Sequence, residues 1–344
     1  MSKPRVLVLY YSQTGQLRDI IDHTLRDVAD SVEITYGVIE PVTPWPFPWK
    51  ASSFFDAMPE SVVQEPAPVK PLPRSVVEGD YDLVILGWQP WFLHPSQPTT
   101  AFMQSPDAEM LRGKPVVTIV GSRNMWLNAG EKIKADLHRN RANHVGNIVL
   151  MDTNTNLISL ITIIRWSFSG KKEATRWLPQ AGVQERDIKA TPRFGLPILE
   201  AAKALAKSHA AIRHEVPAGD NGFSTTVQID TPVATHQVLP EVAGLHQRLL
   251  SLGSIELNTG LVLLEQRGIK NFRFWAKYIR EKGGPGDPAR LGRVTQFKRL
   301  LLVAIFVLSP ISSLTAFIQR NLQKKRLLRD VDYFKSLDYE PGRI

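Results

Sequence analysis

Cysteine is absent from the 344 residues. That excludes disulfides, iron–sulfur clusters, thiolate metal sites and a cysteine nucleophile. The eight histidines are scattered, with no HExxH or other close pairing at helical spacing, so no metal site is predicted. A GxSxG nucleophile elbow and the lysine of a Walker A loop are also missing, which removes α/β-hydrolase and P-loop chemistry. Near Met1 there is no apolar stretch ending in a small-residue cleavage site, so the N-terminal part is expected to stay in the cytoplasm. Hydrophobic residues make up 43% and charged residues 22%, enough apolar material for a packed core and against bulk disorder.

Positive charge is scarce in most of the chain and concentrated at its end. The formal net charge is +9, yet residues 1–264 carry 25 Lys/Arg against 26 Asp/Glu, and residues 265–344 carry 17 against 7. The excess surrounds the most hydrophobic run of the sequence. A basic tail beside an apolar segment points to anionic lipid rather than nucleic acid. At roughly 100–200 residues per domain, the length suggests two domains, or one with large additions.

Arg5 to Tyr11 is a short, continuous apolar run rich in β-formers, which predicts a strand buried on both faces. Leu17, Ile20, Ile21, Thr24, Leu25 and Val28 then recur at helical spacing. Further strands are predicted at Val32–Ile39, Asp82–Gly87, Pro115–Gly121 and Gly146–Asp152, with a mixed-charge helix over Leu127–Asn143. Buried strands alternating with helices predict an α/β fold, a doubly wound five-stranded parallel sheet with crossover helices. Ligands of such sheets sit outside the carboxyl ends of the strands, here residues 11–16, 88–94, 121–126 and 152–156.

Those ends differ in chemistry. Ser12, Thr14, Gly15 and the start of a helix converge on one spot, where open backbone N–H groups and the helix dipole favour an anion. Trp88-Gln89-Pro90-Trp91-Phe92 supplies aromatic faces, and Gly121-Ser122-Arg123-Asn124-Met125-Trp126 supplies small and polar groups and another indole. Together they suit a flat ring with a phosphate tail. The same residues also admit plainer roles, a helix N-cap for the first loop and core aromatics for Trp91 and Trp126. Asp152 and Asn154 either bind substrate or cap a turn. His94, next to the aromatic loop, is the candidate proton donor.

Tyr11-Ser12-Gln13-Thr14-Gly15-Gln16 resembles the phosphate loop of the flavodoxin-like family, whose usual pattern is Ser/Thr-x-Thr-Gly-x-Ser/Thr. The resemblance implies FMN, its phosphate on Ser12, Gln13, Thr14, Gly15 and Gln16, and its ring between Gln89, Pro90, Trp91, Phe92 and Gly121, Ser122, Arg123, Asn124, Met125, Trp126. Leu17 stands where the pattern has its last hydroxyl, so one phosphate hydrogen bond is missing. Together with Gln89–Leu93, Arg123–Asn128 and Gly284-Pro285-Gly286-Asp287-Pro288-Ala289-Arg290, the loop resembles the DarA-type flavodoxin-like proteins of dialkylresorcinol biosynthesis. That resemblance implies an FMN-dependent oxidoreductase that aromatises a lipophilic dialkylcyclohexanedione, with a ketosynthase as partner.

Pro41 to Pro73 contains nine prolines and alternates ring with proline at Pro44–Trp49, so no regular helix is predicted there. It is either a strap packing its aromatics over the sheet, a lid on the ligand pocket, or a strap between the subunits of a homodimer. Leu157–Trp166 is too short to span a bilayer and reads as a buried helix, a tunnel wall or an interfacial edge. Residues 195–212 are predicted as the last crossover helix, Gly219–Gln237 as loop or hairpin, and Leu245–Leu264 and Phe272–Arg280 as helical. The last is basic and amphipathic, suiting a membrane surface or a docked helix with a solvated face.

Leu300–Gln319 is a charge-free run of 20 residues interrupted by Pro310, with basic flanks on both sides. Both flanks should stay cytoplasmic, which predicts a kinked hairpin entering one leaflet. A kinked single span and a hairpin buried against protein are the alternatives. The expected organisation is 1–215 as the sheet domain with the proline-rich insertion at 41–79, 216–295 as a helical extension, and 296–344 as the membrane-associating hairpin and basic tail. The expected location is the cytoplasmic face of the inner (plasma) membrane. An electron carrier and a flavin-free partner protein are the competing classes.

Overall fold

The computed structural model describes residues 2–215, 240–306 and 309–343. Five strands form one parallel sheet: β1 (Arg5–Tyr10), β2 (Glu33–Val38), β3 (Leu83–Trp88), β4 (Pro115–Ser122) and β5 (Asn143–Met151). Their spatial order is β2-β1-β3-β4-β5. This is the flavodoxin-like doubly wound order, with its switch point between β1 and β3. Val8 of β1 lies level with Tyr36 on one side and Ile85 on the other, which sets the register.

The helices follow in chain order. The first half carries α1 (Gln16–Leu25), α2 (Ala51–Asp56), α3 (Met58–Val63), α4 (Arg74–Val77), α5 (Gln97–Gln104) and α6 (Leu127–Arg139). After the sheet come α7 (Asn156–Ser169), α8 (Glu185–Lys189), α9 (Gly195–Glu215), α10 (Leu245–Ser251) and α11 (Thr259–Arg280). The chain closes with α12 (Leu291–Phe306), α13 (Ser309–Leu322) and α14 (Lys324–Lys335).

The apolar run of β1 serves two cores, because successive side chains point to opposite faces. Val6, Val8 and Tyr10 pack with Leu17, Ile20 and Ile21 of α1 and with Ile198 and Leu205 of α9. Leu7 and Leu9 pack on the other face, in a cluster that takes in Leu127, Ile133 and Leu137 of α6, Val262 and Leu263 of α11, and Leu327, Val331 and Phe334 of α14. The sheet domain and the basic C-terminal segment therefore share one core. A third cluster joins Phe55 of α2 and Met58 and Val62 of α3 to Ala276 and Ile279 of α11 and Val294 and Phe297 of α12.

Several local expectations change. The proline-rich insertion does contain helix: α2 and α3 fit between prolines, and Pro59 sits in the first turn of α3, where its missing N–H costs nothing. The stretch Leu245–Leu264 is not one helix. It breaks after Ser251, where Gly253 adopts φ +78, and restarts at Asn258, whose side chain accepts the Leu261 N–H at 3.0 Å. No described strand follows α9, so it covers the sheet rather than crossing over to a new strand. Gly219–Gln237 lies outside the described residues. The charge-free run divides between α12 and α13, which pack on each other and on α11. Among the described residues, no helix is long and apolar enough to cross a membrane.

Glu265 of α11 ties the two halves together. Fully buried, it accepts the N–H groups of Leu127 (3.0 Å) and Asn128 (2.8 Å) at the start of α6. Those donors favour the carboxylate, yet burial outweighs them and pushes its pKa up to about 7. The folded state thus holds this proton more tightly than the unfolded chain, so the Glu265 contribution falls as pH rises from about 4.5 to about 7. Glu265→Gln should abolish that part of the pH dependence while leaving one N–H unpaired, a loss of about 1–3 kcal/mol. Urea unfolding of both proteins at pH 5 and pH 8 checks it, and parallel pH slopes would refute the assignment.

Candidate functional site

A cavity of about 550 Å³ opens at the carboxyl ends of β1, β3 and β4, within the range of roughly 300–1,000 Å³ common to small-molecule and cofactor sites. Its floor is the loop after β1. Gly15 takes φ +84 at the N-cap of α1, a left-handed conformation that glycine adopts without strain. No side chain caps the helix, and the Gln16 N–H reaches Thr14 Oγ1 only at a long 3.4 Å. The first turn of α1 therefore presents open N–H groups toward an anion. Ser12 Oγ is buried with no hydrogen-bond partner among the described residues, as is Ser122 Oγ at the end of β4. Buried hydroxyls are normally satisfied, and the Ser122 orphan, which lines the cavity, fits a polar ligand.

The two glutamines of the loop hold it in place. The Gln13 amide donates to Pro46 O at 3.2 Å and accepts from Tyr11 Oη, which fastens the proline-rich strap over the loop. Gln16 exchanges two hydrogen bonds with the backbone of Val183, at 3.0 and 3.1 Å. Its side chain is committed to that contact, and Leu17 is buried in the α1 core. That leaves Thr14 and the N–H groups of the first turn of α1 as the polar groups this loop offers the cavity.

The walls are aromatic. Trp91 lies 5.5 Å from Trp45 and 5.3 Å from Trp49, centroid to centroid, and Phe54 lies 4.8 Å from Phe92 and 5.3 Å from Phe168. Gln89, Pro90, Trp91 and Phe92 line one side of the cavity, and Gly121, Ser122 and Arg123 the other. The Arg123 guanidinium donates to Asn156 Oδ1 at 3.0 Å; burial pulls its pKa down to about 10, so it stays charged at neutral pH. Leu160, Ile163 and Ile164 of α7 and Leu301, Leu302 and Ile305 of α12 make the far end aliphatic, with Lys298 at its edge.

The sequence-predicted residues divide. Gln13, Thr14, Gln16, Gln89, Pro90, Trp91, Phe92, Gly121, Ser122 and Arg123 line the cavity. Ser12 and Gly15 are not among its lining residues, although their loop reaches it through Gln13, Thr14 and Gln16. Asn124 and Met125 lie outside it, the Asn124 amide donating to Asn156 Oδ1 at 3.0 Å, and Trp126 is buried beneath α6. His94 does not reach the cavity either. It is 1% exposed, with Nδ1 2.9 Å from Phe92 O, and burial, with Lys132 and Arg273 nearby, pulls its pKa down to about 4. A neutral, enclosed imidazole is no proton donor at neutral pH. Asp152 accepts the Asn154 N–H at 2.9 Å in a turn, and neither residue lines the cavity. Trp49, Phe54, Phe272 and the aliphatic wall of α12 were missed as individual residues, although the ring–proline alternation and the charge-free run marked their segments.

No family model matches the sequence, and no curated protein matches it. Solved structures with a likeness to it include a protein from Bacteroides uniformis ATCC 8492 classed as a flavoprotein, 17% identical over 44% of this chain and 94% of that one, with a TM-score of 0.33. Another is a flavoprotein in complex with FMN from Lactobacillus acidophilus NCFM, 14% identical over 43% of this chain and 93% of that one, with a TM-score of 0.34. Likenesses at this level decide nothing about function.

Proposed function

We propose that the chain is an FMN-dependent oxidoreductase acting on a lipophilic cyclic ketone at a membrane surface. The observation that carries this reading is the single cavity in which a phosphate-type loop, an aromatic shelf and an aliphatic wall meet. The residues fit the cofactor: Ser12, Thr14 and the α1 N–H groups for the phosphate, and Gln89, Pro90, Trp91 and Gly121, Ser122, Arg123 around the ring. When bound, FMN supplies a two-electron acceptor. A dialkylcyclohexane-1,3-dione that loses two electrons and two protons and enolises is a dialkylresorcinol, the aromatisation that the sequence resemblance implies.

The protein's own part is positioning. The charged Arg123 holds an enolate oxygen of the dione, Trp91 and Phe92 set the ring plane, and the side chains of α7 and α12 receive the alkyl tails and exclude water. The cover given by α7, α12 and the strap favours an enzyme over an electron carrier, which needs its flavin edge open to a partner. An anaerobic single turnover tests the reading. The FMN-loaded protein should convert a dialkylcyclohexane-1,3-dione to the resorcinol with matching bleaching of the flavin band. Full flavin occupancy without bleaching or product would sink it.

A further inference from the structure

A second groove, of about 580 Å³, lies between α11, α13, α14 and the C-terminal tail. Five cations line it: Arg267, Lys270, Arg273, Arg326 and Arg343, with Gln266, Asn271 and Gln319 as neutral polar neighbours. No carboxylate is among its described lining residues. Asp330 lies at the adjoining end, where it pairs with Arg343 at 3.2 Å and Arg326 at 3.7 Å and accepts from the Gln266 amide at 3.3 Å, and Glu340 pairs with Arg343 at 2.7 Å. The groove is built rather than loose. Arg267 donates to Gln319 Oε1 at 3.2 Å and to Thr315 Oγ1 at 3.2 Å, which fixes α13 against α11. The positive potential reaches inward: Lys132 of α6 has its pKa lowered by burial and then by Arg273.

Beside these cations the surface is apolar. Ile318 and Leu322, one turn apart on α13 and flanking Gln319, are 51% and 81% exposed. Leu300, Val303 and Phe306 of α12 are exposed as well, on the helix whose Leu301, Leu302 and Ile305 line the substrate cavity. Exposed aliphatic and aromatic side chains next to clustered Arg and Lys match the boundary between acyl chains and anionic headgroups.

We propose that this groove holds the phosphate headgroup of an anionic phospholipid, seating the exposed faces of α12 and α13 in the bilayer. The inference rests on the membrane-surface part of the reading above, and not on the flavin. Arg forks match phosphate oxygens in pairs, while Lys270 adds a point charge. A lipid held there places the α12 wall of the cavity at the acyl layer, where a long-tailed ketone dissolves.

The test is flotation of the full chain with vesicles of phosphatidylcholine alone, or with one-third phosphatidylglycerol. Three proteins are compared: the native chain, Lys270→Ala/Arg326→Ala, and Lys324→Ala/Lys325→Ala. The last removes the same charge from exposed positions outside the groove. The native protein should bind only the anionic vesicles, and the groove pair should lose about tenfold more binding than the charge-matched pair. Equal losses would mean diffuse attraction and overturn the site, as would no binding to either vesicle. Calorimetric binding of inorganic phosphate without vesicle binding would overturn the lipid assignment in favour of a soluble phosphate. Flavin absorbance of the same samples reads the cofactor separately, so a colourless protein that still floats leaves this inference standing.

Discussion

Ser12→Asp should weaken FMN binding by about 100-fold or more. The Ser12 hydroxyl is buried without a partner among the described residues, in the loop whose Gln13 and Thr14 line the cavity and which leads into α1. A carboxylate there takes the place of the anion and repels a phosphate. Two unit charges about 4 Å apart repel by roughly 4 kcal/mol at an effective dielectric constant of 20, and the phosphate carries more than one. Ser12→Ala removes a single hydroxyl and should cost only about 1 kcal/mol, roughly fivefold. Fluorescence titration of FMN into the three proteins gives the affinities, and thermal melts without FMN show whether each variant folds. If the folded Asp variant binds FMN as tightly as the native protein, the phosphate sits elsewhere.

Arg290→Ala should be the most destabilising single substitution in the C-terminal half, at about 3–5 kcal/mol. Arg290 has no exposed surface. It donates to Asp56 Oδ1 and Asp56 O, both at 2.6 Å, and to Glu60 Oε1 and Oε2 at 2.8 and 3.1 Å. The Gly286 N–H adds a bond to Asp56 Oδ2 at 2.8 Å. Removing the guanidinium leaves two carboxylates with their main partner gone, and the buried Glu60 keeps only Arg280 at 3.8 Å. Arg290→Lys keeps the charge and loses the fork, so it should recover only part of the stability. Replacing all three charges together, as Arg290→Met with Asp56→Asn and Glu60→Gln, should cost far less than Arg290→Ala, because no ion is stranded. Urea midpoints order the variants. The cluster also locks α2 and α3 to the start of α12, so Arg290→Ala should loosen the roof formed by Phe54, Phe55 and Leu301. A loss below about 1 kcal/mol would show that the lock does not exist.

What could be read from the sequence follows from how local each cause is. The strands were legible because β1, β3 and β4 are buried on both faces and carry uninterrupted apolar runs. The loop Ser12–Gln16 was legible because a strand, a small-residue turn and a helix start are adjacent in the chain. His94 was misplaced because adjacency does not give direction: Phe92 and Leu93 take φ 50 and 67, which turns His94 away from the cavity. The alternation of ring and proline at 44–49 marked an unusual segment, but not that the Gln13 bond to Pro46 would set Trp49 against Trp91. Least legible was that Leu301 and Trp91, some two hundred residues apart, line one cavity. Leu300–Gln319 announces an apolar surface in need of cover. Which face it covers depends on α11, α14 and the Arg290 cluster, and no local pattern records their packing.

If the phosphate-type loop, the aromatic shelf and the aliphatic wall form one flavin and ketone site, the folded chain binds FMN and senses a cyclic dione beside it. The measurement that tests it most directly is the visible absorption spectrum of the full chain purified in mild detergent, titrated with FMN if it emerges colourless. Flavin bands at near one FMN per chain are expected, with a spectral shift when a long-tailed cyclic dione is added and a loss of both in Ser12→Asp. A folded protein that takes up no FMN would contradict it.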